Sequence, residues 1–129
     1  MTPDVRVILT DQNGEPRETA PIIAVGFDGC LCEEKWPGIG APQEDVIARL
    51  KDRKAHGYKI ILWTCRCGEM LAEALIWCMK QGICFDAVNE NLPERIEIFG
   101  TDSRKISAEE YWDDKAVRLN ARERCRIAT

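Results

Sequence analysis

Short continuous apolar runs alternate along this chain with longer stretches in which apolar residues recur every three or four positions. Ile22-Ile23-Ala24-Val25 runs straight into the acidic glycine turn Gly26-Phe27-Asp28-Gly29-Cys30, the pattern of a buried strand that ends in a loop with polar groups at its tip. Lys59-Ile60-Ile61-Leu62-Trp63 is a second such run, ending in Thr64-Cys65-Arg66-Cys67-Gly68, and Phe85-Asp86-Ala87-Val88 is a third. Between the first two, Val46, Ile47 and Leu50 share one helical face; Glu44 and Asp45 favour its positive end and Gly57 follows His56 as its stop. A second helix is predicted over 69–81, with Leu71, Leu75, Cys78 and Met79 inward and Gly82 as terminator. Pro93 stands where a first helical turn tolerates it, so a short helix is predicted over 94–99, ending at Gly100.

The last run, Glu110-Tyr111-Trp112, reads as a weak strand in front of Asp113-Asp114. Glu109 and Glu110 lie where a buried strand prefers apolar residues, which implies a loosened or exposed strand. Residues 28–42 hold Gly29, Pro37, Gly38, Gly40 and Pro42, too many breakers for a regular element beyond one helical turn over 33–36. Val5-Arg6-Val7-Ile8-Leu9, followed by a turn signal from Asp11 to Pro16, predicts an added edge strand. The expected division is an N-terminal extension over 1–20, one α/β domain over 21–117 with a parallel sheet and helices on both faces, and a tail over 118–129.

A length of 129 residues suffices for one buried core and not for an additional large lid domain. Net charge is −4, so no broad basic surface advertises a nucleic-acid backbone as partner, although local groups can still hold a small phosphorylated molecule or inorganic phosphate. The apolar runs are too short to span a bilayer and no apolar leader follows Met1, so a cytoplasmic protein with no membrane partner is expected. Seven cysteines cannot all pair internally, and without a secretion signal reduced thiols are the default, with Cys78 and Cys84 as small core residues. Of the four tryptophans, Trp63 and Trp77 read as core, while Trp36 and Trp112 fall near enough to the strand tips to line a site there. His56 reads as a helix-end charge, and Asp86 as a turn residue.

Three strand tips carry polar groups toward one edge of the sheet: Asp28 after the first, Thr64 and Arg66 after the second, and Asp113 with Asp114 after the last. Lys105, just before the last strand, is within reach of the same edge. Carboxylates suit Mg2+, while a lysine, a threonine hydroxyl and turn N–H groups suit a phosphate. In this order these residues resemble the four motifs of the haloacid dehalogenase-like (HAD) phosphohydrolase superfamily. The fuller runs from Ile61 to Arg66, from Phe85 to Pro93 and Trp112-Asp113-Asp114 are similar to small capless HAD proteins of bacteria and phages.

The resemblance implies a three-layer α/β/α sandwich with a Rossmann-like sheet and no cap domain. It implies phosphate-ester hydrolysis with Mg2+ through an aspartyl-phosphate. By position it gives Asp28 the acid/base role and a metal-ligating carbonyl, and Thr64 the phosphoryl oxygens. Lys105 would offset their charge, Gly29, Cys30 and Arg66 would contact substrate, and Asp113 and Asp114 would hold the metal. The family's nucleophilic aspartate falls on Gly26, which offers no nucleophile and removes a metal carboxylate. Loss of a nucleophile costs on the order of 10⁴ or more in rate, so impaired or absent turnover is expected.

Two other readings stand beside this one. Cys30, Cys32, Cys65 and Cys67 lie just beyond neighbouring strand tips, where four thiolates can bind Zn2+ or form a redox pair; the Cys-x-Cys spacing, in place of Cys-x-x-Cys, argues against it. The third reading is a silent phosphatase fold that still binds a phosphate or a protein. Without a cap the site is open, which suits large substrates or a second copy of the chain as a lid, hence a homodimer.

Overall fold

The computed structural model describes residues 4–119 of the chain. The elements run β1 (Val7–Thr10), β2 (Pro16–Thr19), β3 (Ile22–Val25), α1 (Glu44–Ala55), β4 (Lys59–Leu62), α2 (Gly68–Lys80), β5 (Ala87–Val88), α3 (Pro93–Phe99) and β6 (Glu110–Trp112). Four strands form one sheet in the order β5-β4-β3-β6, every neighbouring pair parallel. This is an α/β fold with a four-stranded parallel sheet and three helices, consistent with an α/β sandwich. Of the predicted tail, Arg118 and Leu119 are described and 120–129 lie outside the described residues. None of the described helices is long and apolar enough to cross a membrane.

The continuous apolar run of β3 exists because both faces of the strand are covered. Ile23 and Val25, with Ile60 and Leu62 of β4, pack on Ile47 and Leu50 of α1 and on Ala74 and Cys78 of α2. Ile22, Ala24 and Ile61 point the other way, onto Leu92 and Ile106. The alternation follows from the two-residue period of a strand, and full burial of each large side chain contributes roughly 1.5–3 kcal/mol.

Helix boundaries follow the sequence signals to within a residue or so. Glu44 and Asp45 occupy the first turn of α1 and Arg53 and Lys54 its last, which opposes both ends of the helix dipole. Pro93 begins α3, and Gly100, at φ 70°, ends it with its N–H on the Ile96 carbonyl. His56 caps α1, its Nδ1 2.7 Å from the Asp52 carbonyl oxygen. Asp86 is a turn residue as read: its carboxylate accepts the Ile60 N–H at 2.8 Å and the Lys54 ammonium at 3.1 Å.

Several expectations are corrected. The N-terminal extension is not an added edge strand: β1 and β2 form a separate antiparallel hairpin, with Ile8 opposite Glu18. It rests on the α3 side through the Gln12 N–H on the Ile98 carbonyl, and Val5 N–H reaches the carbonyl of His56. No helical turn forms over 33–36. Trp63 is not core, because β4 ends at Leu62 and Trp63 is 37% exposed.

The last strand is not loose either. β6 pairs with β3 in parallel from Glu110 to Trp112. Its glutamates are tolerated because each has a cation. Glu110 meets Arg53 at 2.5 Å, and Glu109 pairs with Arg95 and accepts the Ile22 N–H.

The hairpin turn carries a pH dependence. Asp11 Oδ1 accepts the N–H groups of Glu15 and Asn13, both at 2.9 Å. These bonds, the one from Glu15 foremost, hold its carboxyl below the ordinary value of 3.8. A lowered folded value means the contribution is present above the ordinary value and is lost as pH falls through the folded one. The Asn13 and Glu15 amide shifts are expected to titrate with a midpoint under 3.8; a midpoint at or above it would contradict this.

Candidate functional site

At the carboxyl edge of the sheet the chain leaves β3, β4 and β6 through loops that meet around one cleft of about 400 Å³. Its walls include Gly26, Asp28, Trp36, Trp63, Thr64 and Asp113. The β3 loop is wound on a single acceptor: the Phe27 carbonyl takes the N–H groups of Cys30, Leu31 and Cys32. The Phe27 ring meets Trp77 edge-on at 5.4 Å, which fixes the loop to the α2 side of the core.

Arg66, expected to contact substrate, is engaged by partners within the chain. Its side chain is 1% exposed. Nε and Nη2 donate to the two carboxylate oxygens of Asp28 at 2.9 and 2.7 Å, while Nη2 and Nη1 donate to the carbonyls of Gly38 and Pro37 at 2.8 and 3.3 Å. The guanidinium lies over the rings of Phe27 and Trp36, at 5.1 and 4.9 Å. Hydrogen bonds to Asp28 raise its pKa above the ordinary value and keep it charged. The cation is spent on internal partners, and Asp28, the expected acid/base, is held by it.

The loop after β3 closes on itself through Glu33 N–H to the Ala41 carbonyl at 2.8 Å and Gln43 N–H to the Leu31 carbonyl at 2.9 Å. A Cβ on Gly40 would overlap the Glu33 carbonyl oxygen. Gly40→Ala is therefore expected to open the loop at a cost of about 1–3 kcal/mol, read as a lower urea midpoint; an unchanged midpoint would refute this closure.

Thr64 sits at the cleft. Its N–H donates to Asn89 Oδ1 at 2.8 Å and its Oγ1 accepts the Arg66 N–H at 3.1 Å. Asn89 escaped the sequence reading; the available signal was an asparagine directly after a short strand, where it adopts φ 54°. Lys115, also unread, lines the cleft immediately after the acidic pair. Lys105 does not line it: its ammonium lies 5.4 Å over the Tyr111 ring, in a depression on the opposite sheet face.

Asp113 and Asp114 are exposed and reach the cleft, with Asp113 Oδ1 accepting the Asp114 N–H at 3.0 Å. Asp114 packs so closely on Gly29, at φ 74°, that a Cβ there would overlap its carboxylate. Gly29 and Cys30 line an adjoining depression with both aspartates and Arg49. Trp112 lines that depression too, and its ring packs beneath Arg53 at 5.7 Å instead of facing the cleft.

Among the described residues no three His, Cys, Asp or Glu side chains gather in a metal-binding group. The Asp28 carboxylate is engaged by Arg66 and position 26 has no carboxylate, which leaves Asp113 and Asp114 as the exposed carboxylates at the cleft. Cys30 and Cys32 are buried and donate to the carbonyls of Trp112 and Phe27, whereas Cys65 and Cys67 are exposed. Burial, and then the Asp113 carboxylate, push the Cys30 thiol up to about 11; burial also raises Cys32.

A solved structure of a conserved protein coded by a locus of Bacteroides thetaiotaomicron is similar to this chain. Identity is 38%, the TM-score is 0.67, and the match covers 77% of this chain and 79% of that one. A scan against protein-family models and a search of curated proteins give no match.

Proposed function

The chain belongs to the same family as that Bacteroides thetaiotaomicron protein, and from the residues at its strand tips we propose a HAD-like, capless three-layer α/β/α protein that binds at the strand-tip cleft without turning phosphate esters over. Position 26 carries the reading. Gly26 is not among the glycines with positive φ, so its backbone suits any residue. A Cβ there would lie 3.2 Å from Asp113 Oδ1 and 3.3 Å from the Trp112 carbonyl, tight but accommodated by a small movement of the exposed Asp113. The backbone conformation does not require glycine here, and what is missing is the nucleophile itself.

The neighbours support binding over turnover. Asp28 is engaged by Arg66, which lowers its readiness to exchange a proton without closing the acid/base position. Glycine at position 26 removes one carboxylate from the metal position, which weakens any hold on Mg2+. The cleft carries Asp28, Glu34, Asp113 and Asp114 against a single ammonium, Lys115, between the exposed rings of Trp36 and Trp63. Such a lining disfavours a free phosphate and suits a protein segment bearing a cationic side chain. The free cysteines among the described residues support a reducing, cytoplasmic setting.

Hydrolysis of p-nitrophenyl phosphate by this chain and by Gly26→Asp, side by side in Mg2+ buffer, tests the reading. The parent should stay at the no-protein background; Mg2+-dependent parental turnover above that background would overturn it.

A further inference from the structure

We propose a second ligand site, distinct from the cleft: the depression under α3, on the sheet face away from α1 and α2, takes a small oxyanion carried on a flat apolar body. It has a volume of about 360 Å³ and shares no lining residue with the cleft. Two cations line it, Arg95 and Lys105, and no carboxylate does. The floor and walls are apolar and aromatic: Ile106, Tyr111 and Phe99, the last 37% exposed.

Two observations point to an anionic occupant. Arg95 is 2% exposed, yet its Nε is the one buried side-chain nitrogen or oxygen among the described residues without a hydrogen-bond partner. Its other nitrogens are used: Nη1 donates to Ser107 Oγ at 3.0 Å and Nη2 to the Ala20 carbonyl and to Glu109. Because Ser107 Oγ accepts from Arg95, its own proton is free to be donated. The second observation is Lys105, which has no ion pair among the described residues and rests on the Tyr111 ring.

Glu109 offsets the Arg95 charge, and no carboxylate among the described residues pairs with Lys105. Asp102 accepts from Asn91 Nδ2 at 3.0 Å, and Glu109 faces Arg95 and the Ile22 N–H. An oxyanion shared by Arg95 Nε, Lys105 and the Ser107 hydroxyl gives each a partner, while a ring attached to it covers Phe99 and Ile106. Phosphate and carboxylate share this chemistry; the aromatic body is what the apolar lining selects.

Phenyl phosphate, benzoate and inorganic phosphate, titrated into the ¹⁵N-labelled chain, test the site. Phenyl phosphate or benzoate should shift the amides of residues 99–107 saturably and leave Gly26, Asp28 and Thr64 in place, the better of the two identifying the oxyanion. Inorganic phosphate should bind more weakly than phenyl phosphate. Lys105→Gln, at an exposed position, should keep the parental spectrum elsewhere and bind at least tenfold more weakly; Phe99→Ala should weaken the aromatic probes more than inorganic phosphate. No saturable shift, shifts centred on Gly26 and Thr64, or unchanged affinity in Lys105→Gln would overturn the proposal. The outcome is independent of whether the cleft turns over, since no cleft residue is altered.

Discussion

Arg66→Ala is expected to remove about 3–5 kcal/mol of stability, the range for stripping one partner from a buried ion pair. That is a large share of the 5–15 kcal/mol typical of a domain. The substitution takes away both hydrogen bonds to Asp28 and those to the Pro37 and Gly38 carbonyls. It also removes the surface on which Trp36 stacks. Asp28 is left as a half-buried carboxylate with no cation, and the 33–41 loop loses its attachment. Urea unfolding followed by tryptophan fluorescence measures the loss; a change below about 1 kcal/mol would contradict the assigned role. Arg66→Lys should recover less than half of it, because a lysine supplies the charge without the planar fork. If the alanine variant does not fold, Asp28→Asn provides the same comparison from the other side of the pair.

Gly26→Asp is expected to raise phosphate-ester hydrolysis at least about 10³-fold, roughly a tenth of what removal of a nucleophile costs elsewhere. The added carboxylate stands beside Asp113, and like charges at that distance destabilise the variant by about 1–2 kcal/mol in the absence of a cation. Gly26→Ala is the control: it tests the 3.2 Å approach of a Cβ to Asp113 Oδ1 without a nucleophile, and should show no turnover. A silent Gly26→Asp that remains folded would mean that the Arg66–Asp28 pair has closed the acid/base position as well.

The central sheet was legible in the sequence because its signals are local. Four consecutive apolar residues ending in Gly26-Phe27-Asp28-Gly29 admit few readings, and Pro93 and Gly100 punctuate α3 by their own backbone chemistry. The cleft's membership was legible through Asp28, Thr64, Asp113 and Asp114. Roles that depend on what a long side chain finds in space were not. Arg66 reads as an available cation until the 33–41 loop is folded over it, and Lys105 reaches Tyr111 because the segment before β6 turns to the far face. Trp63 misled for a related reason: an aromatic at the end of an apolar run looks buried, but the strand stops one residue earlier. Glu109 and Glu110 looked destabilising only while their cations, Arg95 and Arg53, were too distant in sequence to be paired with them.

Because the β1–β2 hairpin stands apart from the main sheet, β5 and β6 each have one neighbour among the described residues. Exposed flanks of this kind are templates on which a copy of the chain can dock backbone to backbone. Here they offer little purchase: β5 is two residues long and β6 three, and β6 carries a charged glutamate at its start. The brevity of the outer strands, more than any covering element, is what guards this sheet against growing by self-addition.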